Sequence, residues 1–336
     1  MQDSLIFVVS PPRAGSTLLQ RMLGAHSAIF THPEPHLITP LAFLGYHDRV
    51  DAAPYDHINA AEAIRSFVDG LPRGEEDYLD ALRAYCDTMY GRMLATTEHE
   101  RFVDKTPAYA LVWPFLTKLY PNAKYVVLTR HPLAVFSSFA NSFFNGDWRA
   151  AYAYNPVVER YVPAMGELIR ERPVPLIHVG YEELVQDPEA QLERVFAFLG
   201  LEHEPDAVNY QKTEMKKGMG DPINVEKRSR PTTGSLHKWA GELGDPDKLA
   251  MARAMIANLS DEDLQTWRWP RERIWTALEE HGGHAPPKPV LNRYTFQRRV
   301  MLALRKGVHA GPTATAAVRR VRYFCDVLLR DSLDAR

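Results

Sequence analysis

The stretch Phe7 to Met22 reads FVVSPPRAGSTLLQRM, and the succession of strand, tight turn and helix within it decides the architecture. Residues 5 to 10, LIFVVS, form a short apolar run rich in β-branched residues, the pattern of a buried strand. Leu19, Met22 and Leu23 then recur at helical spacing over Ser16 to Ala25. Such a turn aims backbone N–H groups and the positive end of a helix dipole at one point, so it is built to hold an anion. Gly15 allows close approach of the backbone, and Ser16 and Thr17 add hydroxyl donors. A nucleoside-triphosphate loop would read G-x-x-x-x-G-K-[ST]. Here there is a single glycine, an arginine at position 13 and no lysine before Ser16. The pattern argues against a magnesium nucleoside triphosphate and leaves two readings, a site for another anion or an ordinary capped strand-to-helix turn.

Around this stretch lie 336 residues, enough for one large α/β domain or two small ones. Hydrophobic content of 45% and charged content of 24% are ordinary for a soluble globular chain. No run of eighteen apolar residues occurs, and Pro11, Pro12 and Arg13 interrupt the apolar N-terminal stretch, so neither a membrane span nor a signal peptide is expected. A cytoplasmic protein is the expectation. Cys86 and Cys325 match no C-x-x-C pattern and are read as reduced thiols. His26, His32 and His36 form a loose group without the spacing of a metal site, so no metal is expected.

The net charge of −2 conceals an asymmetry. After residue 290 ten basic residues face three acidic ones, a net +7, while the remainder carries −9. HGGHAPPKP, residues 281 to 289, marks the boundary, giving a domain over 1–285 and a basic extension over 290–336 that splits at Gly311-Pro312 into two helices. Packing on the acidic remainder or pairing in a homodimer is favoured for this extension over contact with an anionic membrane. No nucleic-acid partner is expected.

Along the chain, a loop at THPEPH (31–36) is followed by helical patterns at about 59 to 69 and 76 to 95. RFVDK (101–105) has the character of a short strand, Tyr109 to Leu119 that of a helix, and KYVVLTR (124–130) is a second buried strand leading into a helix from Pro132. PLIHVG (175–180) is a third, and EELVQDPEAQLERVFAFLGL after it reads as helix, break at Asp187-Pro188, helix. Strands separated by helices imply βαβ units and a parallel sheet covered on both faces, with ligands at the carboxyl ends of the strands. Arg13, Lys105 and Arg130 all fall at or just after a strand end.

PPRAGSTLL (11–19), DKTP (104–107) and LTRHPLAVFSSF (128–139), in that order, resemble the sulfotransferases that use 3′-phosphoadenosine 5′-phosphosulfate (PAPS). The likeness spans about residues 5 to 245 and is nearest to the tyrosylprotein branch and to bacterial branches acting on small-molecule or carrier-bound substrates. It implies a P-loop-like three-layer α/β fold with a central parallel sheet. It further implies that Arg13, Ala14, Gly15, Ser16 and Thr17 form the 5′-phosphosulfate loop and that Arg130 and Ser138 bind the 3′ phosphate. A planar guanidinium with several donors suits both anionic clusters. The alternatives are a surface arginine capping a strand and a helix-face serine.

By the same resemblance Lys105 is the catalytic lysine, the alternative being a salt bridge to Asp104. Glu34, seventeen residues after Thr17, corresponds to the glutamate base of the tyrosylprotein branch. His36 and His32 are its rivals. Tyr181 is implied near the nucleoside, and Ser229 and Lys238 in RSRPTTGSLHKW (228–239) in the segment that closes over the cofactor, with Trp239 either core or adenine-stacking. NSFFNGDWRAAYAY (141–154) is read as mainly core, with some rings lining an acceptor pocket. The expected activity is transfer of a sulfuryl group to a hydroxyl acceptor. A small-molecule P-loop kinase and a non-enzymatic sensor of adenosine 3′,5′-bisphosphate are the alternatives.

Overall fold

A computed structural model describes residues 1–47, 57–210 and 229–281. Five strands, β1 (Leu5–Val9), β2 (Ile29–Pro33), β3 (Arg101–Lys105), β4 (Lys124–Thr129) and β5 (Leu176–Gly180), form one sheet in the order β2-β3-β1-β4-β5. Every pairing is parallel, with Leu5 opposite Phe102, Ile6 opposite Lys124, Pro33 opposite Lys105 and Thr129 opposite Gly180. The helices before the last strand are α1 (Ser16–Leu23), α2 (Thr39–Ala42), α3 (His57–Asp69), α4 (Glu75–Leu94), α5 (Trp113–Leu119), α6 (Pro132–Phe144), α7 (Trp148–Tyr154) and α8 (Val157–Glu171). After it come α9 (Tyr181–Gln186), α10 (Pro188–Leu199), α11 (Lys238–Glu242), α12 (Pro246–Ala257), α13 (Asp261–Thr266) and α14 (Thr276–His281). This is the P-loop-like α/β fold expected from the sequence, a central parallel sheet flanked by helices.

The described residues fall into two compact units, one made by Met1–Phe136 together with the chain from Pro156 onward, the other holding Ser137–Asn155. The sheet belongs to the first. Residues 282–336, with the predicted basic extension and Cys325, lie outside the described residues.

The central strand explains itself: all five residues of LIFVV are buried, as a strand covered on both faces requires. Beneath it Phe7 packs against Tyr125 and Tyr120 at 5.4 Å between ring centroids and against Tyr109 at 6.3 Å. The break at Asp187-Pro188 is a helix cap. The Asp187 carboxylate accepts the Ala190 N–H at 3.2 Å, Pro188 opens α10, and Gly200 ends it at φ 73°. Asp245 and Ser260 cap α12 and α13 in the same way.

Two expectations are corrected. THPEPH is not wholly loop, because Thr31, His32 and Pro33 complete β2, whose ladder runs from Ile29–Arg101 to Pro33–Lys105. β2 is an edge strand, so Pro33, which has no N–H to give, is tolerated there. Tyr109 to Leu119 is not one helix either: a 3₁₀ turn at Pro107–Leu111 precedes α5, which begins where Pro114 occupies the first turn. Among the described residues no helix is long and apolar enough to cross a membrane.

Candidate active site

The carboxyl ends of the five strands carry the candidate residues. After β1 the chain turns through Arg13 at φ 70° and Gly15 at φ 96° before entering α1. The first intrahelical bond is Leu19 N–H to Gly15 O, and among the described residues no side chain caps the helix, which begins just past the carboxyl end of β1. Gly15 is required here for a second reason: a Cβ would lie 2.4 Å from Cδ2 of Tyr181. Tyr181 opens α9 directly after β5 and lies against the backbone of the loop.

Arg130 follows β4 and is nearly buried, at 8% exposure. Its guanidinium stacks on the Tyr181 ring at 4.3 Å, Nη1 donates to the Arg13 carbonyl at 3.0 Å and Nη2 to the Ser235 carbonyl at 3.2 Å. The Tyr181 hydroxyl and the Ser235 hydroxyl share a 2.9 Å hydrogen bond. Burial pulls the Arg130 pKa below its usual value, and Nε has no hydrogen-bond partner among the described residues. A buried cation held by carbonyls and a π face, with a donor still unused, fits an anionic group.

On the other side of β1, Lys105 ends β3 with no exposed surface. Its Nζ donates to Glu34 Oε1 at 2.5 Å and reaches Thr17 Oγ1 at 3.5 Å. Glu34 follows β2, one residue after the Pro33–Lys105 pair of the ladder, and its other oxygen lies 3.6 Å from His36 Nε2. The alternative for Lys105, a salt bridge to Asp104, is thus set aside: its ion-pair partner is Glu34. Successive residues of a strand point to opposite faces. Asp104 is turned into the core, where Tyr90 and Tyr109 donate to Oδ2 at 2.6 and 2.9 Å and Thr106 to Oδ1 at 3.0 Å. Burial raises the Asp104 pKa, against the lowering effect of those three hydroxyls. His32 lies within β2, its Nδ1 2.8 Å from the Pro33 carbonyl.

Ser16 and Ala14 are buried in the loop, and Thr17 is partly exposed beside Lys105. Ser138 lies on α6 in the Ser137–Asn155 unit. Ser229 and Lys238 are both exposed, and it is Ser235, between them, that meets Arg130 and Tyr181. Its signal was inside the quoted RSRPTTGSLHKW, but residue type alone did not separate it from Ser229. Trp239 is core: it stacks on His131 at 4.1 Å. His131 donates Nε2–H to the Ile274 carbonyl at 2.9 Å, and burial lowers its pKa to about 3, so the ring is neutral. Among the described residues no group of three or more His, Cys, Asp or Glu is placed to hold a metal.

Residues 5–205 match the model of the sulfotransferase family, a segment that runs from β1 past Arg130 and Tyr181. The chain belongs to the sulfotransferase family. Among similar proteins, nodulation protein NoeE of Sinorhizobium fredii is 26% identical over 268 residues, 71% of this chain and 60% of NoeE. Protein-tyrosine sulfotransferase A of Caenorhabditis elegans is 25% identical over 261 residues, 71% of this chain and 61% of that protein. The chain thus spans about three fifths of the length of these relatives. Of solved structures, the sulfotransferase domain from the curacin biosynthetic pathway superposes with a TM-score of 0.52 at 24% identity, covering 84% of this chain and 98% of that domain, a likeness of fold.

Proposed function

We propose that the protein transfers a sulfuryl group from PAPS to a hydroxyl acceptor by in-line displacement. The observation that carries this reading is the Lys105–Glu34 pair at 2.5 Å beside Thr17 of the anion-binding loop. On this reading Lys105 is the cation for the leaving oxygen and Glu34 the carboxylate base for the acceptor. PAPS, when bound, supplies the sulfuryl group on a phosphate leaving group.

The amides of Gly15 to Thr17 and the guanidinium of Arg13 hold the sulfated 5′ end, and Arg130, with its unused Nε, holds the 3′ phosphate. Glu34 takes the acceptor proton as the acceptor oxygen bonds to sulfur. Lys105 donates to the bridging oxygen as the bond from that oxygen to sulfur breaks and charge develops on it. The products are a sulfate ester and adenosine 3′,5′-bisphosphate. Fixed cations and helix amides offset this charge, so added magnesium is not needed.

The test is transfer of label from [³⁵S]PAPS by the purified full chain to phenols, tyrosine peptides, sugars and lipid extracts, with EDTA present. The expected result is an alkali-stable, acid-labile sulfate ester formed in step with the bisphosphate. Magnesium-dependent ATP turnover would establish a kinase instead. Tight bisphosphate binding without transfer to any acceptor would establish a sensor.

A further inference from the structure

Two buried tyrosines serve the same carboxylate and differ in one contact. Tyr90, from α4, and Tyr109, from the turn after β3, both donate to Asp104 Oδ2. Among the described residues only the Tyr109 oxygen has a further hydrogen bond, accepting the N–H of Ile38 at 3.1 Å. Ile38 is buried and closes the turn that begins at Glu34. Between the two, His36 is held at φ 51°, in the left-handed region that a side chain disfavours. A backbone in that region persists where its surroundings fix it from both sides. Here one fastening is the Glu34–Lys105 pair and the other is the Tyr109–Ile38 bond.

We propose that Tyr109 is a positioning residue: its hydroxyl, braced on Asp104, fixes the turn Glu34–Ile38 so that the Glu34 carboxylate stays on Lys105, a task that Tyr90 does not share. Asp104 is the base of this brace, since it orients the Tyr109 hydroxyl hydrogen inward and leaves the oxygen lone pair for Ile38. The geometric claim stands on the hydrogen bonds alone. Its consequence for turnover rests on the sulfuryl-transfer reading above.

The test compares Tyr109→Phe with Tyr90→Phe, each losing one hydroxyl from a buried ring. The readout is the rate at which formaldehyde and cyanoborohydride methylate Lys105, followed by peptide mass spectrometry well below the melting temperature. Lys118, whose side chain is 54% exposed, is the internal reference. Loosening the turn uncovers a lysine that has no exposed surface, so Tyr109→Phe is expected to raise the Lys105 rate by about fivefold, the population change that one net hydrogen bond is worth. Tyr90→Phe is expected to leave that rate within about twofold although it too loses a buried bond and melts earlier. Should Tyr109→Phe fail to fold, Ile38→Pro removes the same bond from the other side, at a φ of −90° not far from that of proline. An equal rise in both tyrosine variants, or none on loss of the Tyr109–Ile38 bond, overturns the proposal. The labelling reads out whether or not any acceptor is sulfated. In the labelled-sulfate assay the same variant should lower kcat and leave the KM for PAPS unchanged.

Discussion

At position 130 a cation sits in the interior with two carbonyls and a tyrosine face for company, and its occupancy by an anion should be felt at once in affinity. A charge-assisted contact to phosphate is worth roughly 1.5 to 3 kcal/mol, so Arg130→Ala should weaken adenosine 3′,5′-bisphosphate by about tenfold or more. Adenosine 5′-phosphate should be nearly unaffected. Arg130→Lys should recover little, because an ammonium lacks the planar fork that meets Arg13 O, Ser235 O and a ligand together. Calorimetry with both nucleotides decides it, and equal weakening for the two would reject the 3′-phosphate assignment. At positions 105 and 34 the expectation is the reverse. Lys105→Ala and Glu34→Gln remove contacts that strengthen in the transition state, so kcat should fall by two or more orders of magnitude while bisphosphate affinity stays within about threefold. Full turnover by Glu34→Gln together with its loss in His36→Ala would move the base to His36, whose Nε2 lies 3.6 Å from Glu34.

Among the elements, the loop between β1 and α1 is packed rather than open. Gly15→Ala meets two penalties, a side chain at φ 96° and a Cβ 2.4 Å from the Tyr181 ring. The left-handed backbone costs roughly 1 to 2 kcal/mol and the overpacking roughly 1 to 3, so urea denaturation should show a loss of about 2 kcal/mol or more. Adding Tyr181→Ala should remove the clash and leave the backbone penalty, a non-additive pair. A Gly15→Ala variant as stable as its parent would show that the ring yields freely. The strands β1 and β4 were legible because a strand buried on both faces reads as an apolar run rich in Val, Ile and Leu, and β5, although it lies at an edge, keeps the apolar residues Leu176, Ile177 and Val179. β2 was not, because it holds His32 and Pro33, residues whose type alone signals loop, and its ladder is to a partner 72 residues on. The turn at Pro107–Leu111 escaped for a related reason: Tyr109 has helical spacing but is committed to Asp104 and Ile38. Glu34 was reached only through the resemblance to the tyrosylprotein branch, whereas Ser235 is recognisable only once β4 and β5 are side by side.

For the molecule as a whole, acid should be destabilising in a defined window. Burial lowers the pKa of both His131 and His178 to about 3. Both rings are neutral in the folded chain and take up protons near pH 6.5 when it unfolds, so the stability these two rings contribute is fully present above the unfolded pKa and is lost as pH falls toward 3. Each contributes about 2 kcal/mol of loss by pH 5, at 1.36 kcal/mol for every unit below the unfolded pKa. Unfolding measured from pH 7 to 5 should show this slope, and His178→Gln, which keeps a polar partner for Thr129, should lessen it. A profile flat between pH 7 and 5 in the parent protein would contradict it.

The strand order has one more effect. β1 is third of five, so the chain fills one flank of the sheet with β2 and β3 and the other with β4 and β5. With neighbours about 4.8 Å apart, the outer strands stand roughly 19 Å from each other, and the loop after β1 is the seam between them. Glu34 and Lys105 come from one flank, Arg130 and Tyr181 from the other. Under the proposed assignment the two halves of the pocket rest on separate flanks of the sheet. Substitutions along the β2–β3 rim at positions other than Lys105 change what can lie beside Glu34 and leave Arg130 and Tyr181 in place, so the acceptor side can vary while the proposed 3′-phosphate site stands still.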